Sequence, residues 1–381
     1  MARDINKRLN QLSVRRRGTD RLGRLAEDAQ RVIIAKSIGD EVWQKRATGQ
    51  PYTRYALGAM QAVDEQYTRI SVETAERVGN QLNDGLISAG LSVLFRLQGS
   101  VPLDVHIRGV SDVDLLSLDA SFLTYRTEGA LSRSGFYTSP TSRTSVQVLS
   151  KLRSEAEKIL RARFPAADVD TSGGKAIGIS GGSLARPVDV VPSHWHDTID
   201  YQTSLLERDR GVTILNNKVP ETIDNLPFLH IHRVHTRDQL ASGGLKKAIR
   251  LCKNVKNDAI EEGRKIVFPS FDIAATMYHA DIPALSTGSF YELAVLAETQ
   301  RFLDELYHNS SKAMALRTPD GSRQIFDTAE KYEGLKALSI EMDDLAKEVA
   351  KEQDFKLRQT SELSLHDSRQ TLLKAFVAPA S

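Results

Sequence analysis

Apolar residues fall into two regimes along this chain. In the first half, short apolar runs are cut by glycine, serine and acidic residues; in the second, they recur at helical spacing. From Tyr55 to about Ala89 the period is helical. Within it, "SVETAERVGNQLNDGLISAGL" predicts an N-cap at Ser71, Glu73 and Thr74 in the first turn, and a stop at Gly90. "LSVLFRL" (91–97) reads as a buried strand that runs into Gly99-Ser100, and "SDVDLLSL" (111–118) as a second strand. Residues 127 to 145 are rich in Ser, Thr and Gly and predict a mobile flap, followed by an amphipathic helix over 145–164. "KAIGIS" (175–180) and "RPVDVVP" (186–192) predict two further strands, parted by Gly181, Gly182 and Ser183. Beyond about Thr213 helices dominate. The order predicts an α+β protein with a small mixed sheet in its first half and a helical lobe after it. We divide it into a polar flank (1–54), a sheet-bearing lobe (55–212), a helical lobe (213–355) and a tail (356–381). The end of the tail, "LLKAFVAPAS" (372–381), has no charge after Lys374 and is expected to be flexible.

Composition narrows the class. The 381 residues are 40% apolar and 26% charged, enough for a sizeable core, and the formal net charge is +2. Such a balance implies no nucleic-acid partner, and the run Arg15, Arg16, Arg17 reads as a solvated flank. A single cysteine, Cys252, excludes a disulfide framework and a zinc site built on several thiolates; it reads as a small core residue. The start lacks a signal peptide's apolar stretch, and no run of eighteen apolar residues occurs, so a cytoplasmic protein without a membrane partner is expected.

The chemistry concentrates in "QGSVPLDVHIRGVSDVDLL" (98–116). On a strand, Asp112 and Asp114 point to one face about 7 Å apart, with Val113 turned into the core. Carboxylates this close repel, and a divalent cation, Mg2+ or Mn2+, compensates. Gly99 and Ser100 offer backbone N–H groups and a hydroxyl suited to the outer phosphates of a nucleotide. Asp189, alone between Val188 and Val190, supplies a third acid for two-metal phosphoryl transfer. A second D-x-D, Asp168 and Asp170, competes by pattern. No Gly-Ser step precedes it and a "TSGG" turn follows, so this pair is expected to be exposed and nearly dispensable. Lys246, Arg250 and Lys253 fall on one helical face, opposite Leu245, Ala248, Cys252 and Val255, and read as a polar stripe. His194, His196, His230, His232 and His235 have metal-compatible spacing but read as packing or surface histidines.

Gly99-Ser100, the step to Asp112-Val-Asp114 in "IRGVSDVDLL", the later "VDVVP" and "LKKAIRLCKNVK" together resemble the polymerase-β type of nucleotidyltransferase. Within it, the chain is similar to the cGAS/DncV-like nucleotidyltransferases (CD-NTases) of bacterial CBASS anti-phage systems. The resemblance covers about residues 55 to 310. It implies a polymerase-β-like core, a small mixed sheet with a long N-terminal helix, plus a C-terminal helical lobe. It also implies nucleoside triphosphate substrates, Mg2+ or Mn2+ held by Asp112, Asp114 and Asp189, and a cyclic oligonucleotide product, with CBASS accessory proteins as partners. By the same resemblance Lys253, with Lys256 as the alternative, contacts the triphosphate. An aromatic ring in "TGSFYELAVLAE" stacks on a base: Tyr291 is favoured, and of Phe290 and Tyr291 one belongs to the core. The chain departs from the family in "VPLDVHIRG", where a small polar residue is usual, and lacks the cysteines of the animal members' zinc module. Two alternatives stay open: a transferase that caps a tRNA, protein or small molecule with one nucleotide, and a nucleotide-binding module without turnover.

Overall fold

Residues 4–17, 30, 41–107, 111–360 and 362–380 are described in this computed structural model, and seven of its strands make one mixed sheet. They are β1 (Val93–Gln98), β2 (Val113–Tyr125), β3 (Asp168–Asp170), β4 (Ile177–Ser180), β5 (Val188–Asp197), β6 (Gly211–Asn216) and β7 (Glu221–Asn225). The order is β1-β2-β5-β4-β3, with β6 on the far half of β5 and β7 beyond it. β2 and β5 run parallel, and the other pairs are antiparallel. A parallel pair needs a crossover, and the segment between β2 and β5 carries the helix of 145–163.

Among the described residues run helices α1 (Ile5–Arg17), α2 (Pro51–Met60), α3 (Glu65–Ser88), α4 (Ala130–Arg133), α5 (Ser145–Arg163), α6 (Ile199–Ser204) and α7 (Pro227–Leu240). After them come α8 (Gly244–Glu261), α9 (Ser270–Met277), α10 (Ile282–Ser286), α11 (Leu293–His308), α12 (Ser310–Ala315), α13 (Ala329–Gln353) and α14 (Leu365–Leu372). The N-cap of α3 is Asp64, whose side chain accepts from Gln66 N, not Ser71. Ser71 is buried in mid-helix and donates to Tyr67 O (2.9 Å). The predicted stop is correct: Gly90 has φ +74°, and Leu91 N reaches back to Leu86 O.

Alternation along the strands sorts the sheet's faces. Val113, Leu115, Val188 and Val190 share a core with Val78 and Leu82 of α3 and Leu152 and Leu160 of α5. Leu116, Leu118 and Val191 point the other way, into a cluster with Trp195, Val212 and Ile214. Apolar cover on both faces lets β2 run to Tyr125, well past the predicted end at 118, with a bulge between Asp119 and Leu123. The stretch 127–144 is less free than its composition suggests. It contains α4, and Tyr137 stacks on Tyr125 and donates to Asp197 (2.9 Å).

The helical lobe has its own core, and the N-terminal segment belongs to it. Leu12, Tyr55, Leu57 and Met60 pack with Leu245, Ile249, Phe302, Leu335 and Met342, so the division at residue 54 falls inside α2. The arginine run is not a solvated flank. Arg15 bonds Asp258 (2.8 Å), whose other oxygen receives the Tyr55 hydroxyl, and Arg16 pairs with Glu41; both arginines are buried. Two turns earlier, Arg8 spans Glu262 and Glu341. The tail also departs from expectation. Leu363 and Leu372 are buried, and Arg46 donates to the carbonyls of Val377 and Ala378.

Candidate active site

The parallel register of β2 and β5 sets Asp114 directly beside Asp189, and Val113 beside Val188. Because both valines enter the helix-covered core, both carboxylates leave by the opposite face. Gln98 at the end of β1 flanks Asp114 on its other side, and Gly99 follows with φ +78°. A Cβ on Gly99 would stand 2.0 Å from Asp114 Oδ2, so the carboxylate occupies the space a side chain would need. Asp112 lies just before β2, half-buried; Arg108, Gly109 and Val110 of the same motif lie outside the described residues.

The segment from Gly99 to Ile107 ties the two lobes together at this point. Val101 enters the sheet core, whereas Leu103 and Val105 enter the helical core. Ser100 O accepts from Val105 N, closing a turn. Helix α8 then grips the segment: Arg250 donates to Met60 O (2.9 Å) and Asp104 O (2.7 Å), and Lys253 Nζ to Val105 O (2.7 Å). The basic stripe is therefore not a solvated face. Lys253 is 2% exposed, and its role as a residue on a polar helix face is corrected to that of a buried clamp between the lobes. Sequence periodicity marks a helix's apolar side, but it does not reveal what covers the polar one.

Burial and crowding set the electrostatics. Asp114 is pushed up to about 7, by desolvation first and then by Asp189 and Asp112, with Lys253 opposing. Asp189 rises to about 6 through desolvation, then Asp112 and Asp170. Lys253 falls to about 7, mainly through desolvation, with Lys256 adding to the fall and Asp114 opposing it. Among the described residues, no three His, Cys, Asp or Glu side chains are already gathered into a metal cage. The donor set still fits a hard divalent cation. Neighbouring carboxylates whose charge the protein disfavours are what such a cation relieves, and oxygen ligands are what Mg2+ and Mn2+ take.

The remaining candidates scatter. Lys256 donates to Phe268 O (3.0 Å) at the turn before α9. Neither Phe290 (79% exposed) nor Tyr291 (39%) is a core residue, and the adjacent Glu292 pairs with Arg46 and Lys247. A ring that the sequence reading passed over, Phe271, sits at the start of α9 just beyond the turn that Lys256 holds. It is 41% exposed, stacked on His230 with Arg323 over its face. The signal was available in "FPSFD", an aromatic residue set right after a Pro-Ser helix start. Four of the five candidate histidines have packing partners: His194 Nδ1 meets Trp195 O, His196 meets Thr124, His235 meets Pro102 O, and His230 stacks on Phe271. Asp168 and Asp170 are exposed as expected, and they form the short edge strand β3.

Known proteins bear on this geometry. The family described as cGAS/DncV-like nucleotidyltransferase C-terminal helical domain matches residues 232–346. The chain is 42% identical to a cyclic dinucleotide synthase CdnE of Yersinia aleksiciae over 356 residues, covering 91% of this chain and 92% of that protein. It is 30% identical to a c-di-GMP synthase of a Lachnospiraceae bacterium, covering 75% and 85%. The solved structure of a STING-associated CdnE c-di-GMP synthase from Capnocytophaga granulosa superposes with a TM-score of 0.67 at 27% identity, covering 90% of this chain and 97% of that one. The c-UMP-AMP synthase CdnE of Rhodothermus marinus, solved with Apcpp and Upnpp, shares the fold at a TM-score of 0.52 and 20% identity, covering 74% and 95%. The paired acids, the glycine beneath them and these likenesses lead to one conclusion: the chain belongs to the cGAS/DncV-like nucleotidyltransferase family.

Proposed function

We propose that this protein joins two nucleoside triphosphates into a cyclic dinucleotide. The observation that carries the reading is the lateral pairing of Asp114 with Asp189 over Gly99, in a chain 42% identical to a cyclic dinucleotide synthase. Gly99 and Ser100 receive the outer phosphates. Asp189, set beside Asp114 on the reacting face of the sheet, takes the proton of the attacking ribose hydroxyl. That oxygen bonds to the α-phosphorus of the second nucleotide as pyrophosphate leaves, and a second such transfer closes the ring. Mg2+ or Mn2+, held by Asp112, Asp114 and Asp189, supplies neutralisation of the triphosphate charge when bound. Lys253 acts through the segment it clamps, Lys256 stands next along α8, and the base stacks on Tyr291. The STING-associated relative supports a place in CBASS anti-phage signalling; a cytoplasmic location and accessory-protein partners belong to the same proposal. No described helix is long and apolar enough to cross a membrane.

Purified protein incubated with labelled NTPs and Mg2+ or Mn2+ tests this. Phosphatase-resistant cyclic products are expected. Label passing only to an added acceptor, or nucleotide binding without product, overturns the proposal in favour of a single-nucleotide transferase or a binding module.

A further inference from the structure

The second D-x-D takes a place that its sequence context hid. Asp170 pairs with Gly178 across β3 and β4, and Gly178 with Asp189 across β4 and β5. Residues directly opposite on neighbouring strands project from one face. The row therefore reads Asp114, Asp189, Gly178, Asp170, with all three carboxylates on the side where the reaction is proposed. Gly178 has no side chain to fill its step. A Cβ there would lie 3.5 Å from Asp189 Oδ1 and 3.7 Å from Asp170 Cβ, so its absence leaves a notch floored by backbone between the two acids. The acids stand two inter-strand spacings apart, roughly 10 Å at the backbone. That is about the span of a nucleoside from its ribose hydroxyl to the far edge of its base.

Asp170 is well presented for a ligand in that notch. It is exposed, its Oδ1 accepts from Ser172 N (2.8 Å), and Lys218 lies within electrostatic range. An ionised carboxylate is acceptor-only and takes two parallel donors readily. Guanine alone among the standard bases shows two adjacent donors, N1–H and N2–H2, on its pairing edge; adenine, uracil and cytosine place an acceptor beside their one donor group. We propose that Asp170 selects the acceptor nucleotide by accepting hydrogen bonds from a guanine base lying across the Gly178 notch.

This inference rests on the nucleotidyl-transfer reading and adds a base-selecting residue to it. In the first transfer, the acceptor gives its hydroxyl oxygen to the donor's α-phosphorus and keeps its own 5′-triphosphate, while the donor loses pyrophosphate. The triphosphate-bearing end of the linear intermediate therefore reports which base was the acceptor. The full-length protein, given equimolar GTP and ATP with Mg2+, should place guanine at that end. D170N should lower the guanine-to-adenine ratio there by about tenfold, the size expected for losing one bidentate base contact. D168N, opposite Ser180 and away from the notch, should leave the ratio unchanged. G178A, which narrows the notch at ordinary contact distances, should raise the KM for the acceptor more than it lowers kcat. Wild-type base ratios in D170N together with a wild-type acceptor KM in G178A overturn this inference alone. A wild-type protein that yields no nucleotide product at all overturns the transfer reading and this inference with it.

Discussion

Asp114→Asn separates what this carboxylate does for catalysis from what it costs the fold. The folded protein raises Asp114 from 3.8 to about 7 by burying it beside Asp189 and Asp112, a difference worth about 4 kcal/mol between its protonation states. The sign follows from linkage. A group held above its unfolded value contributes stability that is complete below about pH 4 and disappears as pH rises through about 7. Above that, the metal-free protein carries the full burden of a buried, repelled charge. Asparagine keeps the shape and removes the titration. In EDTA, the unfolding free energy of the variant minus that of wild type should therefore grow by about 3 kcal/mol between pH 5 and pH 8. Urea denaturation at the two pH values measures it directly. Millimolar Mg2+ should narrow the gap at pH 8, because it stabilises the wild type with its full ligand set more than the variant. Cyclic product formation should meanwhile fall at least ~100-fold, as it should for Asp112→Asn and Asp189→Asn. Parallel stability curves for variant and wild type across this range would refute the burial and repulsion argument, whatever happened to activity.

Two further substitutions test the contacts of α8, one with the segment that ties the lobes together and one inside the helical lobe. Lys253→Met removes the donor to Val105 O, leaving a buried carbonyl without it, and should cost about 1–3 kcal/mol in urea unfolding along with lower turnover. Full stability with only a raised KM for NTP would make Lys253 a direct triphosphate ligand instead. Arg15→Ala leaves the fully buried Asp258 without its guanidinium partner and should destabilise the protein by about 3–5 kcal/mol, read as a fall in Tm. An unchanged Tm would return Arg15 to the solvated flank that the sequence suggests.

Local pattern determined a good deal of this protein. The helix ending at Gly90, the strand bearing Val113 and Asp114, helix α5 and the strand bearing Asp189 are all written in runs whose period is set by neighbours in the chain. The opposite facing of Val113 and Asp114, and of Val188 and Asp189, follows from strand alternation alone. What lay beyond the sequence was decided by contacts between residues far apart in it. The parallel register that sets Asp114 against Asp189 depends on how the crossover segment closes, and the two antiparallel registers that set Asp170 across Gly178 from Asp189 depend on how three strands align; no short window carries that information. Lys253 and Arg15 carry charges that composition assigns to water. Each is buried because a distant partner, Val105 O in one case and Asp258 in the other, supplies the hydrogen bond that solvent would have given. A polar residue's pattern shows which way it points along its own helix or strand; only the tertiary structure supplies the group that meets it there.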